Sequence, residues 1–156
     1  MTTLFISDLH LDDARPEISE FFLSFIDHIA IDSNRLFILG DFFEAWIGDD
    51  EQTSLQVRIA SKLSELASTG VEILLMHGNR DFLLGPAYAA QCGARLIEEP
   101  WQLSIGEKNI LLMHGDSLCT DDIQYMKFRQ LTRNAIWKKQ VLSQSLATRK
   151  KMALQL

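Results

Sequence analysis

The chain has 156 residues, of which 47% are apolar, enough to bury one core of ordinary domain size. No apolar run approaches the roughly 20 residues that span a bilayer, which excludes a membrane-crossing helix as the organising element. The net charge of −6 hides an asymmetry: residues 1–122 hold 7 Lys+Arg against 21 Asp+Glu, a balance of −14, whereas residues 123–156 hold 8 Lys+Arg and no acid. A block of that kind seeks phosphate, on a ligand or at an anionic membrane surface, while the acidic body argues against nucleic acid as a partner.

In chain order, Thr2 to Ser7 is a short apolar run that reads as a buried strand ending at Asp8. The start carries no basic residue before that acid, so it does not read as a secretory signal, and a cytoplasmic location is expected. Glu17 to Ile31 follows with Phe21, Phe22, Phe25, Ile26 and Ile29 at helical spacing. A second strand, Leu36 to Leu39, ends at Gly40-Asp41, and a second helix over Gln52 to Ala67 repeats the apolar spacing with Leu55, Ile59, Leu63 and Leu66. Val71 to Met76 is a third strand, ending at His77-Gly78-Asn79. Leu96-Ile97 and Trp101 to Ile105 add short strands, the latter pairing with Asn109 to Met113 across Gly106-Glu107-Lys108 and delivering His114-Gly115.

Strands alternating with helices imply a layered α/β sheet. Residues 123–156 contain neither Gly nor Pro and read as helical, with Tyr125, Phe128, Leu131, Ile136 and Trp137 interleaved with Lys127, Arg129, Arg133, Lys138 and Lys139. The composition shift near Asp122 is the one candidate boundary, dividing a core of residues 1–122 from a basic helical segment. Cys92 and Cys119 have no CxxC spacing and read as buried, reduced thiols.

Polar residues that suit metal chemistry appear wherever an apolar run stops. Asp8 and His10, two apart on an extended chain, point to one side and can grip one cation. Asp41 adds a carboxylate whose two oxygens can bridge two cations. Asn79 offers a neutral amide oxygen, Arg80 a guanidinium suited to phosphate, and His114 a second imidazole. Ligands in open α/β sheets bind outside the carboxyl ends of the strands, where all four clusters lie. His28 and His77 read as structural, Asp81 as a residue that fixes the Gly78-Asn79 turn, and Glu44, Trp46, Asp49 and Asp50 as loop supports.

The four clusters together resemble the calcineurin-like metallophosphoesterase superfamily, whose motifs run D-x-H, G-D, G-N-[HR]-[DE] and later histidines. Longer stretches, Ile6 to Leu11, Leu39 to Asp50, His77 to Leu83 and His114 to Asp122, are similar to the UDP-2,3-diacylglucosamine pyrophosphatases of lipid A synthesis. The resemblance implies a layered α/β sandwich, incomplete at its C-terminus, with the start of a helical lid insertion after Asp122. It implies two Mn2+ ions held by Asp8, His10, Asp41, Asn79 and His114, with Asp41 bridging. Asp41, Arg80 and His114 become the catalytic residues, and Asn79, Arg80 and Asp122 touch substrate.

The implied reaction is attack of water on the α-phosphate of a UDP-linked diacylated glucosamine, giving UMP and 2,3-diacylglucosamine 1-phosphate, at the cytoplasmic face of the inner membrane. The superfamily also admits a general phosphodiesterase or phosphatase. A later Gly-His-x-His completes the family's site, and the histidines here, His10, His28, His77 and His114, contain no such pair. The chain therefore reads as roughly two-thirds of a family member, and a non-catalytic scaffold is the reading from another class.

Overall fold

A computed structural model describes residues 2–154. Four strands, β1 (Thr3–Ile6), β2 (Arg35–Leu39), β3 (Glu72–Met76) and β4 (Ala94–Ile97), form one sheet in the order β1-β2-β3-β4. Every pair is parallel, with Ile6 opposite Ile38 and Leu39 opposite Met76. Parallel strands need crossovers, and helices α1 (Pro16–His28), α2 (Ser54–Ser68) and α3 (Pro86–Gln91) provide them. Strands β5 (Trp101–Ile105) and β6 (Lys108–Leu112) form the expected antiparallel hairpin, turning at Gly106 with φ 59°, a conformation glycine adopts without penalty.

The strands read as unbroken apolar runs because both faces of the sheet are covered. Leu36, Ile38, Ile73 and Leu75 meet Phe22 and Ile26 of α1, Ile59, Leu63 and Leu66 of α2, and Tyr88 of α3. The alternate residues Phe37, Leu74 and Met76 pack with Ile97 and Leu112, bringing the hairpin onto the opposite face. Thr53 starts α2 with a reciprocal cap: its Oγ1 accepts from the Gln56 N–H at 3.3 Å, and its own N–H donates to Gln56 Oε1 at 2.9 Å.

Several expectations need correction. Helix α1 stops at His28 and gives way to a 3-10 turn at Ala30–Asp32, so the helical pattern does not run to Ile31. Phe21 and Ile29 are exposed, because the buried stripe is Ser19, Phe22, Leu23 and Ile26. Cys92 is buried as expected, but Cys119 is exposed, lying just after a 3-10 turn at Asp116–Leu118.

The basic segment is helical but broken into α4 (Ile123–Thr132), α5 (Ala135–Leu142) and α6 (Leu146–Ala153). Side-chain caps restart the helix each time: Asp122 accepts from the Tyr125 N–H, Asn134 from Ile136 and Trp137, and Ser145 from Thr148. Without Gly or Pro to mark them, these breaks are set by capping alone. The segment lies on the body: Phe128 meets Phe82 edge-on at 6.3 Å and Trp137 meets it at a tilt at 5.9 Å, Val141 is buried, and Arg149, only 3% exposed, pairs with Asp50 and donates to the Ile47 carbonyl.

Two outcomes test this packing. Leu63→Ala, at a fully buried position, is expected to cost about 2–5 kcal/mol in urea unfolding with the fold retained. Burial pushes the Cys92 thiol up to about 12, so at pH 8 a disulfide reagent is expected to label Cys119 in the native chain and Cys92 only after denaturation.

Candidate metal centre

The in-register parallel strands release their polar ends side by side. The loops after β1 and β2 are then zipped by backbone hydrogen bonds, Asp8 N–H to Gly40 O at 3.1 Å, His10 N–H to Asp41 O at 2.9 Å and Leu11 N–H to Phe42 O at 2.9 Å. This ladder holds Asp8, His10 and Asp41 at φ of 57°, 49° and 49°. Left-handed backbone at a non-glycine residue costs on the order of 1–2 kcal/mol, and such strain gathers at functional sites. Gly40, at φ 93°, is required twice over: a Cβ there would stand 2.6 Å from the Gly78 nitrogen and 2.7 Å from His114 Nδ1.

Donor atoms of Asp8, His10 and Asp41 all lie within 4.8 Å of one another. His10 gives its Nδ1–H to Glu44 Oε2 at 3.0 Å, which turns the bare Nε2 toward Asp41 Oδ2 at 3.5 Å. His114 is oriented the same way. Its Nδ1–H donates to the Leu39 carbonyl at 2.9 Å, leaving Nε2 beside Asn79 Oδ1 at 3.1 Å and Asp41 Oδ1 at 3.8 Å. In the neutral ring, Nε2 and those two oxygens are all acceptors, so three lone pairs converge with no proton between them. That donor set, two imidazoles with carboxylates and an amide and without thiolate, fits divalent metal ions.

Asp41 is 3% exposed, and its Oδ1 also accepts from the Arg80 N–H at 2.8 Å, which ties the third loop to the second. Asp81, 1% exposed, takes the Gly78 N–H at 2.7 Å and the Phe42 N–H at 2.8 Å, the turn-fixing role expected of it. Burial raises its pKa against those hydrogen bonds, and the nearby Asp41 adds to the rise. His77 donates to the Leu84 carbonyl at 2.6 Å, and burial lowers its pKa to about 4, so it is neutral and structural. His28 bonds the Ser24 carbonyl within α1, also a structural contact.

Glu44 does more than support a loop. Besides His10 it meets Arg15 at 3.0 Å and Arg80 Nη2 at 3.3 Å, so one carboxylate orients an imidazole and holds the guanidinium nearest the cluster. Its position three residues after Asp41, in the same strand-end loop, was the available signal. Asp122 is exposed and caps α4, and among the described residues it is not part of the cluster. A cleft adjoins Asn79 and Arg80 and is walled by Trp46, Phe82, Trp137 and Met152.

The calcineurin-like phosphoesterase family matches residues 1–153. The chain belongs to this family. Curated relatives named UDP-2,3-diacylglucosamine hydrolase are similar along the whole chain: 54% identical in Marinobacter nauticus and 53% in Hahella chejuensis, each over 156 residues. The chain spans 64% of the length of either relative. Among solved structures, the nuclease MPE of Pseudomonas putida superposes with a TM-score of 0.51 over 64% of this chain and 49% of its own, at 23% identity, a likeness of fold. The phosphoesterase sheet here is the α/β arrangement that the sequence pattern implied.

Asp81→Asn is expected to destabilise this phosphoesterase by about 1–3 kcal/mol in urea unfolding, because one of the two buried N–H groups it serves would face an NH2.

Proposed function

We propose that this phosphoesterase hydrolyses the pyrophosphate bond of UDP-2,3-diacylglucosamine, releasing UMP and 2,3-diacylglucosamine 1-phosphate. The observation that carries the reading is the convergence of Asp8, His10 and Asp41, with Asn79 and His114 against the other oxygen of Asp41. Identity of 50% or more to relatives of that name directs the choice of substrate.

In this reading Asp8, His10 and Asp41 would hold one cation, and Asn79 and His114 beside Asp41 would hold a second, with Mn2+ the proposed ion. Two bound divalent cations supply Lewis acidity toward phosphoryl oxygens and make water a nucleophile near neutral pH. The chain's own residues supply the rest. Arg80 presents its guanidinium to the phosphate, preorganised by Glu44 rather than swinging freely in solvent. Glu44 and the Leu39 carbonyl keep both imidazoles in the tautomer that offers Nε2. Asn79 offers an amide that can turn to ligand or substrate, and Asp122, at the head of α4, is assigned a substrate contact. The apolar walls contributed by Trp46, Phe82, Trp137 and Met152 take acyl chains beside the polar centre.

Residues 123–154 contribute to a lid over those chains. Among the described residues no helix is long and apolar enough to cross a membrane, and the attachment proposed is peripheral. Exposed Ile123, Leu131 and Ile136 lie among exposed Lys127 and Lys139, a surface suited to anionic lipid at about 1 kcal/mol per nearby cation.

The test compares UDP-2,3-diacylglucosamine with bis-p-nitrophenyl phosphate in the presence of Mn2+, together with calorimetric titration of the ion. Preferential cleavage of the sugar nucleotide is expected, and Asp41→Asn is expected to weaken Mn2+ binding by more than the roughly 10–100-fold lost with an outer-shell partner. Preference for the simple ester would overturn the lipid substrate. Unchanged Mn2+ binding in Asp41→Asn would overturn the centre itself.

A further inference from the structure

We propose that Arg129 of α4 and Arg133 at its C-terminal cap are positioning residues that set His114 and Asn79, so that the basic segment and the metal centre are one coupled unit. The inference rests on the metal-centre reading given above. Arg129 in α4 and Arg133 at its C-terminal cap, four residues apart, turn inward rather than toward solvent, with side chains 18% and 20% exposed. Arg129 pairs with Glu99 Oε1, and its Nε donates to Asp116 Oδ2 at 2.9 Å. Glu99 uses its other oxygen, Oε2, to accept the backbone N–H of His114 at 3.0 Å. The Nη2 of Arg133 stands 3.9 Å from the same Glu99 Oε1 and 3.8 Å from Asp116 Oδ2, and donates to the Gly78 carbonyl at 3.0 Å, in the peptide that leads into Asn79.

The two guanidiniums therefore hold the chain on both sides of the His114 to Asn79 approach of 3.1 Å. They balance the two carboxylates, Glu99 and Asp116, whose side chains are 14% and 6% exposed. Tyr125, also on α4, closes the group by donating to Asp116 Oδ2 at 2.5 Å. Charge-assisted bonds in so dry a setting are stiff, and removing Arg129 leaves Glu99 and Asp116 with only the longer contacts to Arg133, at 3.9 and 3.8 Å, as counter-charge. With Arg129 gone, Glu99 is expected to turn toward water and release the His114 N–H. His114 Nε2 would then lose its register with Asn79 and Asp41. The coupling is invisible to a reading in which these arginines are a solvated basic face.

The experiment uses the whole chain with Mn2+ as probe and two readouts, the Mn2+ dissociation constant by calorimetry and hydrogen exchange of the His114 amide by NMR without metal. Arg129→Gln is expected to raise the dissociation constant about 10–100-fold, as loss of an outer-shell partner does, and to speed exchange at His114. Arg129→Lys, which keeps the charge but not the fork, is expected to recover much of both, and carries the comparison if the glutamine variant does not fold. Arg149→Gln is the control: it cuts another inward ion pair between helix and body, the one to Asp50, which does not touch His114. It is expected to lower stability and leave Mn2+ affinity and His114 exchange as they were. Unchanged His114 exchange in Arg129→Gln would overturn the inference, as would an equal loss of affinity in Arg149→Gln. If the parent chain takes up no Mn2+, the metal-centre reading fails, and His114 exchange alone decides whether Arg129 positions that residue.

Discussion

The site depends on the parallel, in-register pairing of β1, β2 and β3. With Ile6 beside Ile38 and Leu39 beside Met76, three chain segments leave the sheet side by side at its carboxyl end, neighbours about 4.8 Å apart. Asp41 occupies the middle exit, which is why its carboxylate can face Asp8 and His10 on one side and Asn79, Arg80 and His114 on the other. The left-handed backbone at Asp8, His10 and Asp41 follows from the same constraint, since the loops must turn sharply to bring donor atoms together while their own N–H groups stay bonded.

Around that end the protein uses hydrogen bonds to decide what each ligand atom offers. Glu44 and the Leu39 carbonyl each engage an Nδ1, and Asp81 consumes two backbone N–H groups, leaving Nε2 atoms and carboxylate oxygens facing inward. A pocket of converging lone pairs is electrostatically unfavourable when empty of positive charge. The same feature that costs stability gives the site its affinity for cations.

Charge is also distributed by tertiary structure rather than by composition. The strongly basic segment follows a strongly acidic body, yet three of its arginines are spent at the seam between them, Arg129 and Arg133 against Glu99 and Asp116, and Arg149 against Asp50. What remains outward is a smaller set of lysines with exposed aliphatic residues among them. The segment is thus both anchored by its arginines and available through its lysines.

The sequence by itself determined the alternation of strands and helices, the hairpin about Gly106 and the four polar clusters, because each is a local pattern: an apolar run of strand length, a helical repeat, a turn residue, a donor at a strand end. It also pointed to Asp8, His10, Asp41, Asn79 and His114 as ligand types, since such side chains have few structural reasons to recur at that place. It did not decide which face of α1 would be buried, where the basic helix would break, or that Cys119 would be open to solvent, because these follow from what packs against each element. Only the tertiary structure decided that Glu44 binds His10 and that Arg129 reaches Glu99 beneath His114. Those partners are 34 and 30 residues apart in the chain, and a salt bridge across that separation leaves no periodic trace in the sequence.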